Sequence, residues 1–135
     1  MKVQKNTAIS LIILLIILIG NNLSAQDEVI SLISKTISSG NSKELAKYFS
    51  TAIDLTVPGY EGSFSKIQAE QIMKDFFEKN VPKSFKVNHQ GSSKDGSRFA
   101  VGTLISSNNE TYRTYFLLKK TKDKYNIQQF QIEAD

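Results

Sequence analysis

The order of apolar and polar positions predicts two short helices at the start of the folded part of the chain. Apolar residues first recur at the spacing of one helix face, on Val29, Ile30, Ile33 and Ile37. Gly40 follows as a helix end. A second helix is predicted directly afterwards, with Asn41 as its cap and Glu44 as the reciprocal partner of a capping box. The inner side of this second helix is expected to carry Leu45, Tyr48 and Phe49.

The pattern then changes to the alternation of a half-buried strand. Apolar residues at Ile53, Leu55 and Val57 alternate with polar ones. The dipeptide Pro58-Gly59 fits the central positions of a type II turn. We therefore expect a strand pair, in which the segment from Glu61 to Phe64 returns along the first strand.

A longer helix is predicted after this strand pair. Ser65 is its expected cap, and Gln68 completes a capping box. The helix must end before Pro82, because a residue that precedes proline is disfavoured in the helical region. Its inward residues are predicted to be Ile67, Ile72, Met73, Phe76 and Phe77.

The rest of the chain has the pattern of four strands separated by the turn strings KDGS, NNE and TKDK. In the last strand Tyr125 and Ile127 share one parity while Phe130 and Ile132 share the other, which predicts a β-bulge near Gln128–Gln129. The complete order is helix, helix, strand pair, helix and four strands. It predicts an α+β cone in which helices pack on the inner face of a curved antiparallel sheet.

The first 25 residues have a different character. Lys2 and Lys5 precede nine unbroken apolar residues, Leu11 to Ile19, and a polar stretch with small residues follows. This is the three-part order of a secretory signal peptide. The chain is therefore divided into a signal peptide, residues 1–25, and a single domain, residues 26–135.

The length of the apolar run favours removal of this segment over retention. Even counted from Ala8 to Ile19, the run has twelve residues, whereas a bilayer span needs roughly 20. We predict cleavage between Ala25 and Gln26, export to the periplasm or the cell exterior, and membrane contact only transiently through the signal. Retention as an uncleaved anchor is the alternative.

Composition adds few constraints on function. The chain has no Cys, and all thirteen aromatic residues lie after residue 25, so one core can form without disulfides. The net charge of +4 falls to +2 when Lys2 and Lys5 are removed. That surplus gives no reason to expect a nucleic-acid partner. The basic string KKTKDK is interpreted as a solvated hairpin turn.

Four strings in this sequence resemble those of a known family. They are IDLTVPGYEGSFSKIQAEQIMKDFF from residue 53, SFKVNHQGSSKDG from residue 84, VGTL from residue 101 and IQQFQIE from residue 127. They are similar to a domain-of-unknown-function family of small exported bacterial proteins with a nuclear transport factor 2-like fold, also called cystatin-like. The resemblance implies a shape and a location but no agreed activity. The wider superfamily contains isomerases, dehydratases, cyclases, transport factors and passive binding domains.

His89 is the candidate for acid–base chemistry, since it is the only histidine. It shares the strand parity of Phe85 and Val87, which predicts that it faces the concave side of the sheet. No residue can be named as its orienting carboxylate, and no acidic residue matches an isomerase motif. No nucleophile elbow or phosphate loop is present, and a single His without Cys does not make a classical zinc site. We therefore assign no catalytic residue, no metal and no cofactor.

A second set of candidates lies in the string TYRTYFLL. Strand alternation places Tyr112, Thr114, Phe116 and Leu118 on one face, with Arg113 and Tyr115 on the other. Exposed aromatic and arginine side chains are typical of interface centres. The candidate residues for binding a ligand or partner are His89, Tyr112, Arg113 and Tyr115.

These observations predict a non-enzymatic binding module, acting on a small molecule or an envelope protein. One alternative is a pocket enzyme of the isomerase or dehydratase type, which would use His89 or a buried carboxylate. The other is a homodimer joined through the sheet face. An open apolar cavity inside the cone would favour ligand binding, whereas an interior filled by side chains would favour an interaction module.

Overall fold

The computed structural model describes the chain from Ala25 to Asp135, with side chains from Glu28 onward. The predicted signal segment lies outside the described residues, except that the first helix begins at Ala25. The helices are α1 (Ala25–Ser39), α2 (Ser42–Ala46) and α3 (Lys66–Lys79). The strands are β1 (Phe49–Val57), β2 (Tyr60–Ser65), β3 (Pro82–Ser92), β4 (Arg98–Ser106), β5 (Thr111–Thr121) and β6 (Lys124–Ala134).

The six strands form one sheet in the order β2-β1-β6-β5-β4-β3, so β2 and β3 are its edges. Adjacent strands pair antiparallel except β1 and β6, which are parallel. The predicted curved antiparallel sheet is confirmed, and the parallel pairing of β1 with β6 is a feature that the sequence did not predict. A parallel pair needs a long crossover connection, which α3 and the strands β3 to β5 provide.

Both helical units cover the same face of the sheet, which we call the inner face. Helix α1 packs on β3, while α3 packs on β1 and β2. Between the helices and the sheet lie fully buried side chains, the largest of which are Phe49, Phe116 and Phe130. The Phe130 ring lies 6.2 Å from the Phe49 ring and 6.3 Å from the Phe116 ring, measured between centroids. The interior of the cone is thus packed with aromatic and aliphatic side chains.

The predicted capping box of α2 forms only in part. The Asn41 side chain accepts a 3.0 Å hydrogen bond from the Glu44 backbone N–H, as expected. The Glu44 carboxylate, however, binds Nζ of Lys47 at 2.8 Å instead of returning to the cap. The helix also ends earlier than predicted, at Ala46, so Phe49 is the first residue of β1.

The cap of α3 is confirmed, but one of its predicted inward residues is wrong. The Ser65 hydroxyl accepts from the Gln68 N–H at 3.2 Å, and the Gln68 side chain accepts from the Ser65 N–H at 3.0 Å. Ile67 is 73% exposed, whereas Ile72 is buried. At about 100° per residue, Ile67 lies some 140° around the helix from Ile72. It therefore projects beside β2 rather than into the core.

Of the four register shifts in the strand pairings, two bear on the predicted directions of side chains. One lies at Gln128, because Leu117 pairs with Gln129 and Leu118 pairs with Ile127; this confirms the predicted bulge in β6. The other lies in β3, between Val87 and His89, and was not predicted.

Among the described residues, none of the helices has the length and apolar character required to cross a bilayer.

Candidate interaction surface on the outer face of the sheet

The bulge in β3 moves His89 away from the core, so the prediction that it faces the concave side was wrong. Val87 pairs with Gly102 on the inner face, but His89 pairs with Val101 because Asn88 is the extra residue. Asn88 donates a 2.7 Å hydrogen bond to Oγ1 of Thr103. His89 is exposed, and its ring centroid lies 5.5 Å from that of Phe99. This position does not fit a general base in a buried pocket.

The strand register places His89 in a row that crosses the whole sheet. His89 pairs with Val101, and Val101 pairs with Tyr115. The row continues from Tyr115 through Gln131, Thr56 and Glu61. Its half on β3, β4 and β5 is apolar or aromatic, while its half on β6, β1 and β2 is polar.

A neighbouring row extends the apolar half. Phe99 pairs with Leu117 across β4 and β5, and Gly91 pairs with Phe99 across β3 and β4. A Cβ atom on Gly91 would lie 2.8 Å from the Phe99 ring, so this glycine gives the ring room to lie flat on the strand. We define the outer-face patch as His89, Phe99, Val101, Tyr115 and Leu117, all of them exposed or half-buried.

A polar depression of about 170 Å³ borders this patch. It is lined by Arg113, Tyr115, Gln131 and Glu133. Arg113 pairs with Glu133 across the strands, and Tyr115 pairs with Gln131. No ion pair joins the Arg113 guanidinium to the Glu133 carboxylate within the described part of the chain. Both charges therefore remain available to groups of a partner.

Tyr112 is separated from the other three candidate residues. It is 5% exposed on the inner face, with its ring 5.4 Å from that of Phe76. Its hydroxyl lies 2.6 Å from Oε2 of Glu110, to which it donates, and 2.9 Å from Oδ1 of Asn80. Burial, followed by the hydrogen bond and negative charge of Glu110, raises the pKa of Tyr112 to about 12. Its contacts fasten the end of α3 to the start of β5, which is a structural role.

We expect this raised pKa to produce an alkaline loss of stability that depends on Tyr112. The folded state favours the neutral phenol, so the stabilisation is complete below the ordinary tyrosine pKa near 10 and disappears as the pH rises to about 12. At neutral pH, Tyr112→Phe should cost about 1 kcal/mol through the lost hydrogen bond. Urea unfolding from pH 8 to 12 measures both effects. Tyr60→Phe, at an exposed tyrosine, is the control; if the two variants behave alike, the buried contacts of Tyr112 do not stabilise the fold.

Two further clefts lie at the surface near α3. One, of about 150 Å³, lies between α3 and the turn that joins β1 to β2. The other, of about 340 Å³, runs along β2 and the first part of α3. Within the described range, no group of three or more His, Asp or Glu side chains is arranged to hold a metal ion.

The residues that complete the outer-face patch, Phe99, Val101 and Leu117, were missed by sequence reasoning. Their alternation with Ala100 and Phe116 was a usable signal, because it assigns them to the face opposite the core. No comparable alternation in the sequence indicated that His89 lies on the outer face.

Comparison with known proteins places the chain in a family. Residues 30–133 match the model of a domain of unknown function, DUF4783. A crystal structure of a DUF4783 family protein from Bacteroides ovatus is 34% identical, with 77% of this chain and 93% of that chain covered and a TM-score of 0.71. One from Bacteroides uniformis is 33% identical, with 78% and 95% covered and a TM-score of 0.72.

A more distant structure shows the fold alone. A protein of unknown function with a cystatin-like fold from Methylobium petroleophilum is 11% identical, with 80% of this chain and 74% of that chain covered and a TM-score of 0.60. No curated protein is detectably similar to the chain. The nuclear transport factor 2-like (cystatin-like) fold predicted from the sequence is confirmed. The protein belongs to the DUF4783 family of domains of unknown function.

Proposed function

We propose that this protein is a non-enzymatic interaction module of the cell envelope and that it binds a partner protein through the outer-face patch. The observation that carries the proposal is the row formed by His89, Val101 and Tyr115, which is flanked by Phe99 and Leu117. It joins aromatic and aliphatic side chains from three strands into one solvent-facing surface.

The filled interior supports a partner protein over a small ligand. Pockets for small molecules usually enclose about 300–1,000 Å³ of mostly apolar space. Here the space between the helices and the sheet is occupied by Phe49, Phe116 and Phe130, each at most 2% exposed. The depression beside the patch holds about 170 Å³, which suits one inserted side chain of a partner.

The same geometry argues against the enzyme alternative. A general base must reach the proton it removes and needs a suitable environment. His89 is exposed and has no carboxylate partner among the described residues. In the described part of the chain Tyr112 is a buried titratable group near a carboxylate, but its hydroxyl already contacts Glu110 and Asn80.

The chemistry of the patch resembles that of protein interfaces. Interface centres are enriched in Tyr, Phe and Arg, and their rims are polar. The patch contains Tyr115 and Phe99, and Arg113 and Glu133 lie at its border. Strands about 4.8 Å apart and nine residues long give four neighbouring strands a face on the order of 600 Å². This is comparable to one side of a standard interface.

The location in the envelope rests on the signal segment. The short apolar run and its polar exit favour export with removal of residues 1–25. N-terminal sequencing of the exported protein, with Gln26 as the expected first residue, tests this part separately.

Site-specific photo-crosslinking in the exporting cells tests the proposed surface. We expect a photoreactive phenylalanine analogue at Tyr115 to give an adduct with a second protein, because Tyr115 belongs to the patch and also lines the depression beside it. The matched control is the same analogue at Lys74, which is exposed on α3 and remote from the outer face. Adducts at Lys74 alone, or at neither position, would contradict the proposal. An adduct between two copies of the chain would replace it with the homodimer.

A further inference from the structure

We propose a second binding surface, in which edge strand β2 and helix α3 bind an extended peptide segment of another protein. The segment adds to the sheet as a seventh strand, with apolar side chains directed under α3 and basic side chains opposite Glu61 and Asp75. This surface is separate from the outer-face patch and does not depend on it.

The backbone of β2 is available on one side. Among the described strands it pairs only with β1, with Val57 opposite Tyr60 on either side of a two-residue turn. In an antiparallel pair, consecutive residues direct their N–H and C=O groups alternately toward the partner strand and away from it. Val57 and Tyr60, which flank the turn, direct their backbone groups toward each other. The N–H and C=O groups that point away from β1 therefore belong to Glu61 and Ser63. Neither residue has a backbone hydrogen bond outside the strand pairing among the described residues.

An apolar groove lies beside this free edge. It is lined by Tyr60, Phe64, Ile67, Gln68, Gln71, Ile72 and Asp75 and has a volume of about 340 Å³. Ile67 is 73% exposed and Tyr60 is 47% exposed. Such large apolar side chains close together at the surface indicate a binding site.

The groove has the length of a short strand. The cleft of about 150 Å³ shares Tyr60, Ile72 and Asp75 with it and extends to Asn80. From Ile67 to Asn80 the axis of α3 measures about 20 Å. An extended segment of about six residues covers this distance.

The directions of the side chains on β2 also fit the addition of another strand. Phe64 pairs with Ile53 and Tyr60 pairs with Val57, so both rings lie on the inner face, toward α3. Alternate side chains of an added strand would continue this face and enter the space between the rings and Ile67. The remaining side chains would lie on the outer face, beside Glu61 and Ser63. This is the arrangement by which extended peptides add to exposed sheet edges.

Charge selects a basic peptide rather than a second copy of the chain. Asp75 lines both clefts, whereas Lys79 lines only the smaller one, and Glu61 lies on the free edge. Neither carboxylate has an ion pair with a base in the described part of the chain. A second copy pairing through its own β2 would bring the two Glu61 carboxylates onto one short ladder, with Asp75 of each copy on the helix beside it. Lysine or arginine in a peptide would compensate them instead.

Amide hydrogen exchange with a defined peptide tests the proposal. The probe is VTVKVTKT, capped at both ends, and its matched control is the acidic VTVEVTET. We expect the lysine peptide to slow exchange of the Glu61 and Ser63 amides by about tenfold or more, because both N–H groups become hydrogen-bonded. The acidic peptide should bind at least about tenfold more weakly. Ile67→Lys should weaken binding of the lysine peptide by a similar factor, while Leu32→Lys, at an exposed leucine on α1, should leave it unchanged.

Three results would overturn this proposal. One is unchanged exchange at Glu61 and Ser63 with the lysine peptide at about 1 mM. Another is slowed exchange along the opposite edge, β3, in place of β2. The third is exchange at Glu61 and Ser63 that becomes slower as the protein concentration rises in the absence of peptide. That result would mean that a second copy of the chain binds this edge. None of these results affects the outer-face proposal.

Discussion

Replacing Phe130 with alanine is expected to lower the free energy of unfolding by about 3–5 kcal/mol. Phe130 is 0% exposed, and its ring centroid lies 6.2 Å from that of Phe49 and 6.3 Å from that of Phe116. Removing it leaves a cavity that a sheet with helices packed over it cannot close completely. Since small domains have a total stability of about 5–15 kcal/mol, a large part of the stability would be lost. Urea unfolding followed by circular dichroism measures the change.

Leu117→Ala is the matched control for this substitution. Leu117 lies on the outer face of β5, opposite Gln129, and is half-buried. We expect Leu117→Ala to lower the free energy of unfolding by about 1 kcal/mol, because the Leu117 side chain is only half-buried and its removal takes little apolar surface out of the fold. If Phe130→Ala cost no more than the control, the interior would not be packed around these rings. An open cavity, and with it ligand binding inside the cone, would then become the better interpretation.

Local signals explain why much of the fold could be predicted from the sequence. The cap formed by Ser65 and Gln68 depends on residues three positions apart, and the turn at Pro58-Gly59 depends on two adjacent residues. The bulge at Gln128 was visible because large apolar residues change parity around it. In each case the residues that determine the structure are neighbours in the chain and have strong preferences.

The features that could not be predicted depend on residues far apart in the chain. The parallel pairing of β1 with β6 is set by how the complete chain folds back. The bulge at Asn88 follows the apolar residues Phe85 and Val87, and no large apolar residue comes after it in the strand, so no change of parity marks it.

The candidate site could be predicted only in part, because strand alternation is a local signal whereas contacts between distant residues are not. Strand alternation correctly separated Arg113 and Tyr115 from the core residues Phe116 and Leu118. It also placed Tyr112 with the core, where its hydroxyl is held by Asn80 and Glu110. Asn80 is 32 positions from Tyr112 in the chain, so this contact had no local signal. His89 reaches the outer face only through the bulge, and sequence periodicity alone assigned it to the wrong side.

The second large effect is expected at Val101, the centre of the outer-face patch. Val101 lies between His89 and Tyr115 in the row across the sheet. A lysine there keeps its charge in solvent in the free protein, so the fold should lose no more than about 1 kcal/mol. In the complex, the ammonium would be buried without a partner. We expect binding to weaken by about 2 kcal/mol or more, which corresponds to about 30-fold or more.

Thr56→Lys is the control for Val101→Lys. Thr56 lies in the same row on β1, within its polar half, and is half-buried. A substitution of equal charge on the same face separates the effect of the apolar patch from a general effect of charge. We expect Thr56→Lys to change binding by less than about threefold.

The most direct test of the outer-face proposal is the sedimentation of the exported protein in its native extract. The 135 residues have a mass of 15.1 kDa, so a complex with a partner sediments clearly faster than the free domain. We predict that wild type and Thr56→Lys sediment as a complex and that Val101→Lys sediments as the free monomer. Equal sedimentation of wild type and Val101→Lys would contradict the proposal that this face binds the partner.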